Sequence, residues 1–335
     1  MKSRLTIKAV KRRRKVQGTH IFKATTASGQ PISSVWKWLE RLVLFATFSS
    51  FIAGAVVFIR NEDDRELARL EKSWTFLYEP SARGMLASAA INRIAKANGD
   101  FSYVDLSCRR WADESGDHSQ PQPAWLRTCL EPLRLSELIV EYDDPFAYLG
   151  FKEADFSGSH VQRSRFRNVN LRDTVFEKAF LSDVVFHNAT ATKIGSMRGS
   201  RLSTVVIKYS RIWSAQFQGA TIEDMVVERT NFALADFTES FIWKARFNSV
   251  NLSGSVFSNV NLEDVRFENV TLHDVDFTGA QGITSLTFSN AWAFSTRPPK
   301  GIDLSLIRLC DPRPGTADDR SPIRLAPSGK PVWCQ

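Results

Sequence analysis

Every fifth residue between Phe151 and Phe277 is large and apolar. The series runs Phe151, Phe156, Val161, Phe166, Leu171, Phe176, Leu181, Phe186 and Ala191. After one inserted residue it resumes at Met197 and continues through Leu202, Ile207, Ile212, Phe217, Ile222, Val227, Phe232, Phe237, Ile242, Phe247, Leu252, Phe257, Leu262, Phe267, Leu272 and Phe277. Ala191 is the one weak member among 26 positions, whereas a chain that is 43% apolar would fill about eleven of them by chance. A second lane lies two residues before the first. It holds small or β-branched residues such as Ala154, Ser159, Val169 and Thr174, with Met225 as its exception. The other three lanes are mostly polar.

Neither regular period accounts for this beat, since a helix repeats at about 3.6 residues and a strand at 2. Two inward positions in every five require a chain that bends after each short unit. If a unit forms one side of a square, four units close a coil. Stacked coils then pair like neighbouring strands about 4.8 Å apart. The large lane fills the axis, the small lane lies against the wall, and each coil touches only its neighbours. The fold class expected is therefore an all-β solenoid with a helical cap.

The units Ala154-Asp155-Phe156-Ser157-Gly158, Ala235-Asp236-Phe237-Thr238-Glu239 and Val260-Asn261-Leu262-Glu263-Asp264 resemble the A(D/N)LXX unit of the pentapeptide-repeat family. The resemblance implies a right-handed quadrilateral β-helix whose core is carried by Phe156, Phe166, Phe176, Phe186, Phe217, Phe232, Phe237, Phe247, Phe257, Phe267 and Phe277. It implies no catalytic residue, no metal and no cofactor.

The net charge of +8 invites a nucleic-acid partner, but its distribution argues against one. Residues 1–41 hold 11 Lys or Arg and one acid, whereas residues 151–290 hold 15 of each sign. The basic excess belongs to the tail, with Lys8, Lys11, Arg12, Arg13, Arg14 and Lys15 at its centre. The uncharged 18-residue run Leu42–Ile59 follows, with Trp36 and Trp38 at its entrance. Its length and flanking charge predict a single membrane span with the tail in the cytoplasm. Two alternatives stay open: a cleaved signal peptide, given Ala53-Gly54-Ala55, or a core helix.

Leu67, Leu70, Trp74 and Leu77 recur at helical spacing, and a second helix starts near Ser81 and stops near Gly99. These helices are expected to cover the open end of the first coil. Val104-Asp105-Leu106-Ser107 is already a repeat unit, and residues 109–132 read as a loop inserted after it. The chain thus divides into a basic tail (1–35), a span (36–60), capping helices (61–99), first coils with the loop (100–150), the repeat shaft (151–280) and a C-terminal cap and tail (281–335).

Cys108 and Cys129 bracket the inserted loop, and Cys310 and Cys334 bracket the tail. Disulfides within each pair are expected outside the cytoplasm; four free thiols are the alternative. His20, His118, His160, His187 and His273 are scattered, the last three in outward lanes, and no HExxH, G-x-S-x-G or P-loop pattern occurs.

The shaft is dipolar. Residues 151–211 carry 11 bases and 5 acids, and residues 212–290 carry 4 and 10. Arg163, Arg165, Arg167 and Arg172 mark the basic end and a candidate surface for anionic groups. The outward aromatics read as Phe180, Tyr209, Trp213 and Trp243, with the last two on opposite walls. The expected role is a non-enzymatic binding or scaffolding module at a bacterial inner membrane, its repeats periplasmic. The partner is then an unknown protein or envelope polymer, without nucleic acid, and a homodimer is admitted. The alternative from another class is a cytoplasmic DNA-mimicking regulator of a type II topoisomerase, as some members of the family are.

Overall fold

The computed structural model describes residues 64–77, 84–108, 110–112, 128–142, 149–191, 196–313 and 331–334. Its contacts divide the chain into Met1–Glu66, of which residues 64–66 are described, and Leu67–Gln335. The apolar run Leu42–Ile59 lies outside the described residues. Among the described residues no helix is long and apolar enough to cross a membrane.

The second unit is an all-β right-handed solenoid of about seven turns, preceded by two short helices. Its register shows why the period is five. Thr221, Ile222 and Glu223 pair in parallel with Arg201, Leu202 and Ser203 below and with Phe241, Ile242 and Trp243 above. Partners are therefore 20 residues apart, which is four units of five. Across the inserted residue the offset becomes 21, as Leu181 pairs with Leu202, and it then returns to 20.

Each side of the square owns one inward column. Phe156, Phe176, Met197, Phe217, Phe237, Phe257 and Phe277 form one of them. All 26 members of the large lane are buried, as is every described member of the small lane. Stacked rings copy the strand spacing: Phe217–Phe237 lie 4.7 Å apart at 3°, and Phe237–Phe257 lie 4.6 Å apart at 11°. Near-parallel stacking repeats from coil to coil along the column. The backbone ladder imposes it, and edge contacts between adjacent sides, such as Phe257–Phe267 at 86°, complete the packing. Each buried ring or aliphatic side chain contributes about 1.5–3 kcal/mol of transfer free energy.

The corners are made by a lane that the apolar pattern does not reveal. From Glu153 to Asp274, the residue just before each described small-lane position has a positive φ, between +47° and +68°. Gly, Asn and Asp hold most of these corners, because they tolerate left-handed backbone best. The residue after the small-lane position secures the turn. Asp155, Asn231, Asp236, Asn251 and Asp276 each accept the backbone N–H two residues on, at 2.7–3.0 Å. The second letter of the repeat unit is thus a turn-closing acceptor.

The first coil is completed by pieces. Phe101 stacks on Phe151 at 4.8 Å, and Asp105 bridges Asp155. Arg134–Ser136 and Ile139–Glu141 then pair with the strand His160–Arg167. Between these pieces, Arg110–Ala112 and Thr128–Glu131 form an antiparallel hairpin. The helix Gly84–Lys96 buries Ala87, Ala90, Ile91, Ile94 and Ala95 against this coil. Its polar residues replace the missing rung. Asn92 donates Nδ2 to the Glu137 carbonyl (3.0 Å) and accepts the Ile139 N–H (2.7 Å), and Ser88 Oγ accepts the Ser136 N–H (2.9 Å). The preceding helix, residues 64–77, sets Trp74 against Phe101 at 5.6 Å.

At the other end Phe288 stacks on Phe267, and Trp292–Phe294 pairs with Arg308–Cys310 as a further parallel layer.

Candidate functional site

The core phenylalanines are 0–2% exposed, so a ligand meets the corners and outward columns instead. The four arginines of the early coils do not form one patch. Arg163 sits on a left-handed corner (φ 47°), Arg165 and Arg167 on the side beyond it, and Arg172 past a second corner at Asn168 (φ 56°). Arg163 pairs with Glu137 at 3.3 Å and Arg172 with Asp173 at 3.3 Å. Both pairs are well exposed and worth less than about 1 kcal/mol each. Arg163 and Arg165 share a shallow hollow of about 540 Å³ with Ile139, Val185 and Val206. A second hollow, about 560 Å³, lies beside Cys129 and is rimmed by His160, Lys178 and Arg201. Burial, and then Arg134, push the His160 imidazole below its ordinary range, so it adds no charge to that rim at neutral pH.

Both cysteine pairs are bonded. Cys108–Cys129 spans 21 residues with Cα atoms 6.0 Å apart, and Cys310–Cys334 spans 24 residues with Cα atoms 5.7 Å apart. The first ties the hairpin to the first coil. The second folds the tail back onto the shaft, where Trp333 and Cys334 bury themselves against Trp292 and Phe294.

That tail corrects the outward placement expected for His273, which is 4% exposed. Its ring stacks on Phe294 at 3.8 Å and meets the edge of Trp333 at 4.6 Å, and its Nδ1 accepts the Phe294 N–H at 3.0 Å. Burial lowers its pKa to about 4, with Arg297 acting in the same direction. His273 is a neutral hydrogen-bond acceptor in a small aromatic core. Tyr142, buried in the first coil, donates to the Gly99 carbonyl at 2.8 Å, and burial and Asp100 raise its pKa.

Among the outward aromatics, Phe180 packs edge-on to His160, and Tyr209 lies between His187 and Arg229. Sequence reading overlooked Phe241, which is 41% exposed. It shares the strand Phe241–Trp243 with Trp243, and the two flank buried Ile242 on one outward side. The strand period of two carries that signal: Phe-Ile-Trp places both rings together. The Lys244 ammonium lies 3.8 Å from the Trp243 ring centre. Among the described residues no three His, Cys, Asp or Glu side chains converge on a metal-sized site.

Comparison with known proteins bears on the family. Sequence profiles described as pentapeptide repeats match residues 240–281, and also 151–188 and 215–254. No curated protein matches the chain. Among solved structures, full-length QnrB1, described as a plasmid-mediated fluoroquinolone resistance protein, is 17% identical, with 52% of this chain and 92% of that chain covered and a TM-score of 0.27. HetL from the cyanobacterium Nostoc, a pentapeptide-repeat protein described as involved in heterocyst differentiation regulation, is 20% identical over 61% of this chain and 85% of its own, with a TM-score of 0.29. The matched segments, residues 151–188 and 215–281, are thus pentapeptide repeats by their sequence profiles, and they build the five-residue wall described above.

Proposed function

We propose that this protein is a non-enzymatic binding or scaffolding module held at a bacterial inner membrane by a single span, with its basic tail in the cytoplasm and its shaft in the periplasm. The observation that carries the reading is the pair of disulfides, Cys108–Cys129 and Cys310–Cys334, one at each end of the shaft. Such bonds persist in oxidising compartments and are rare in the cytoplasm. The apolar run Leu42–Ile59 and the 11 Lys or Arg of residues 1–41 support the same orientation. In this reading the early coils, with Arg163, Arg165, Arg167 and Arg172 spread over adjacent sides, face anionic headgroups or polymers. The outward columns of the late coils meet a partner protein.

The test is topology. A reporter fused after Gln335 that is active in the periplasm and silent in the cytoplasm supports the proposal, as does thiol labelling that requires reductant. A reporter active in the cytoplasm overturns it.

The second reading, a cytoplasmic DNA-mimicking regulator of a type II topoisomerase, draws on the acidic late coils, where residues 212–290 carry 10 acids and 4 bases. The cytoplasmic outcome of the same assay favours it.

A further inference from the structure

The ten acids of the late coils divide into two groups. Five are engaged: Glu228 with Lys208, Asp236 with Gln218, Glu268 with Asn248, Asp274 with Arg297, and Asp276 with the Thr278 N–H. Among the described residues, the carboxylates of Glu223, Asp224, Glu239, Glu263 and Asp264 have no ion-pair or hydrogen-bond partner.

These five are not scattered. Glu223 and Glu263 are the direct ladder neighbours of Trp243, one coil below and one above. Asp224 and Asp264 follow them on left-handed corners (φ 51° and 55°), and Glu239 occupies the corner before Phe241 (φ 58°). The carboxylates therefore frame the strand that carries the exposed Phe241 and the half-buried Trp243. With coils about 4.8 Å apart, Glu223 and Glu263 stand about 10 Å from each other across the indole. One cation, Lys244, is already seated on that ring. It is the sole base of the framed set and leaves it with an excess of negative charge.

We propose that Phe241, Trp243 and the carboxylates around them form a docking surface for an arginine- or lysine-rich segment of a partner protein. Charge complementarity selects a cationic occupant. The two rings select one with apolar stems and planar guanidinium groups, which lie on aromatic faces while their N–H groups reach carboxylates. A small cation has no enclosed seat here, because the strand lies on an open wall. The inference deepens the binding role proposed above and is independent of the compartment.

The experiment uses the full chain in detergent and a labelled heptapeptide of alternating glycine and arginine, followed by fluorescence anisotropy. Binding should weaken with added salt. The double variant Phe241→Ser/Trp243→Ser should weaken it at least about tenfold, the range expected when anchoring aromatics are lost. Glu223→Gln/Glu263→Gln should weaken it about fivefold and flatten the salt dependence while leaving the rings in place. Hydrogen exchange of the shaft checks that both variants fold. Affinity within twofold of the parent chain in both folded variants overturns the proposal. So does an oligosaccharide such as chitotetraose binding through the same rings while the peptide does not. A cytoplasmic result in the topology assay with peptide binding intact would sink the compartment and leave this surface standing.

Discussion

Phe237→Ala tests the stacked core most directly. Phe237 is fully buried and lies in the middle of the longest ring column, 4.7 Å from Phe217 and 4.6 Å from Phe257. A truncated core phenylalanine costs about 3–5 kcal/mol through lost transfer energy and residual cavity. Two stacked partners lost at once, each worth about 0.5–1.5 kcal/mol, place this site at the upper half of that range. A cost of about 4 kcal/mol corresponds to about a thousandfold change in an opening equilibrium. The location of the effect is as diagnostic as its size. A solenoid unit touches its neighbours alone, so the loss should concentrate in the coils on either side. The ladder amides there include Phe217, which donates to the Asp236 carbonyl, and Phe237, which donates to the Val256 carbonyl. Hydrogen exchange with mass spectrometry should show these peptides exchanging two to three orders of magnitude faster, and those of the first coil little changed. Phe241→Ala, in the same coil but 41% exposed, should cost less than about 1 kcal/mol. Acceleration below tenfold at Phe237, or equal acceleration along the whole shaft, would refute the reasoning.

Three further outcomes follow from particular contacts. His273 stays neutral in the folded chain down to about pH 4, whereas the unfolded side chain protonates near 6.5. Below pH 6.5 the unfolded state therefore binds more protons, and stability should fall by about 1.4 kcal/mol per pH unit to about 3 kcal/mol in all, levelling off below pH 4; denaturant midpoints against pH should lose this slope in His273→Gln. Replacing Cys310 and Cys334 by serine should release Trp333, red-shift tryptophan emission, return the His273 titration towards 6.5 and cost about 3 kcal/mol; an unmoved His273 titration would show that the tail docks without the bond. Gly301→Ala should open the C-terminal layer, because φ is +78° and an added Cβ would lie 2.5 Å from the Phe277 carbonyl carbon, whereas Gly219→Asn should be close to neutral, with φ +63° and nothing within 4 Å; equal melting temperatures for the two variants would contradict this.

Much of the shaft could be read from the residues because its core is one-dimensional. Phe217, Phe237 and Phe257 each repeat the same local environment, so a period in the chain is a column in space. The corners were less visible. Their positive φ values rest on Gly, Asn and Asp at many positions but also on Tyr209 and Leu234, which have no preference for it. Pairing with the coils above and below holds those residues there. The four candidate arginines show the same limit, since nearness in the chain does not show that corners at Arg163 and Asn168 turn them onto different sides.

By itself the sequence determined the beat, the inward lanes, the place of the inserted residue and the type of repeat. Those follow from apolar side chains that must leave water at fixed intervals. Tertiary structure decided what depends on segments meeting from afar. The tail, folded back by Cys310–Cys334, turns His273 from an outward position into an aromatic core, and coil stacking sets Glu223 and Glu263 on either side of Trp243. Residues 20 or 60 apart become neighbours through ladder register and chain closure, and no local preference in the chain specifies which outward side chains then share a side.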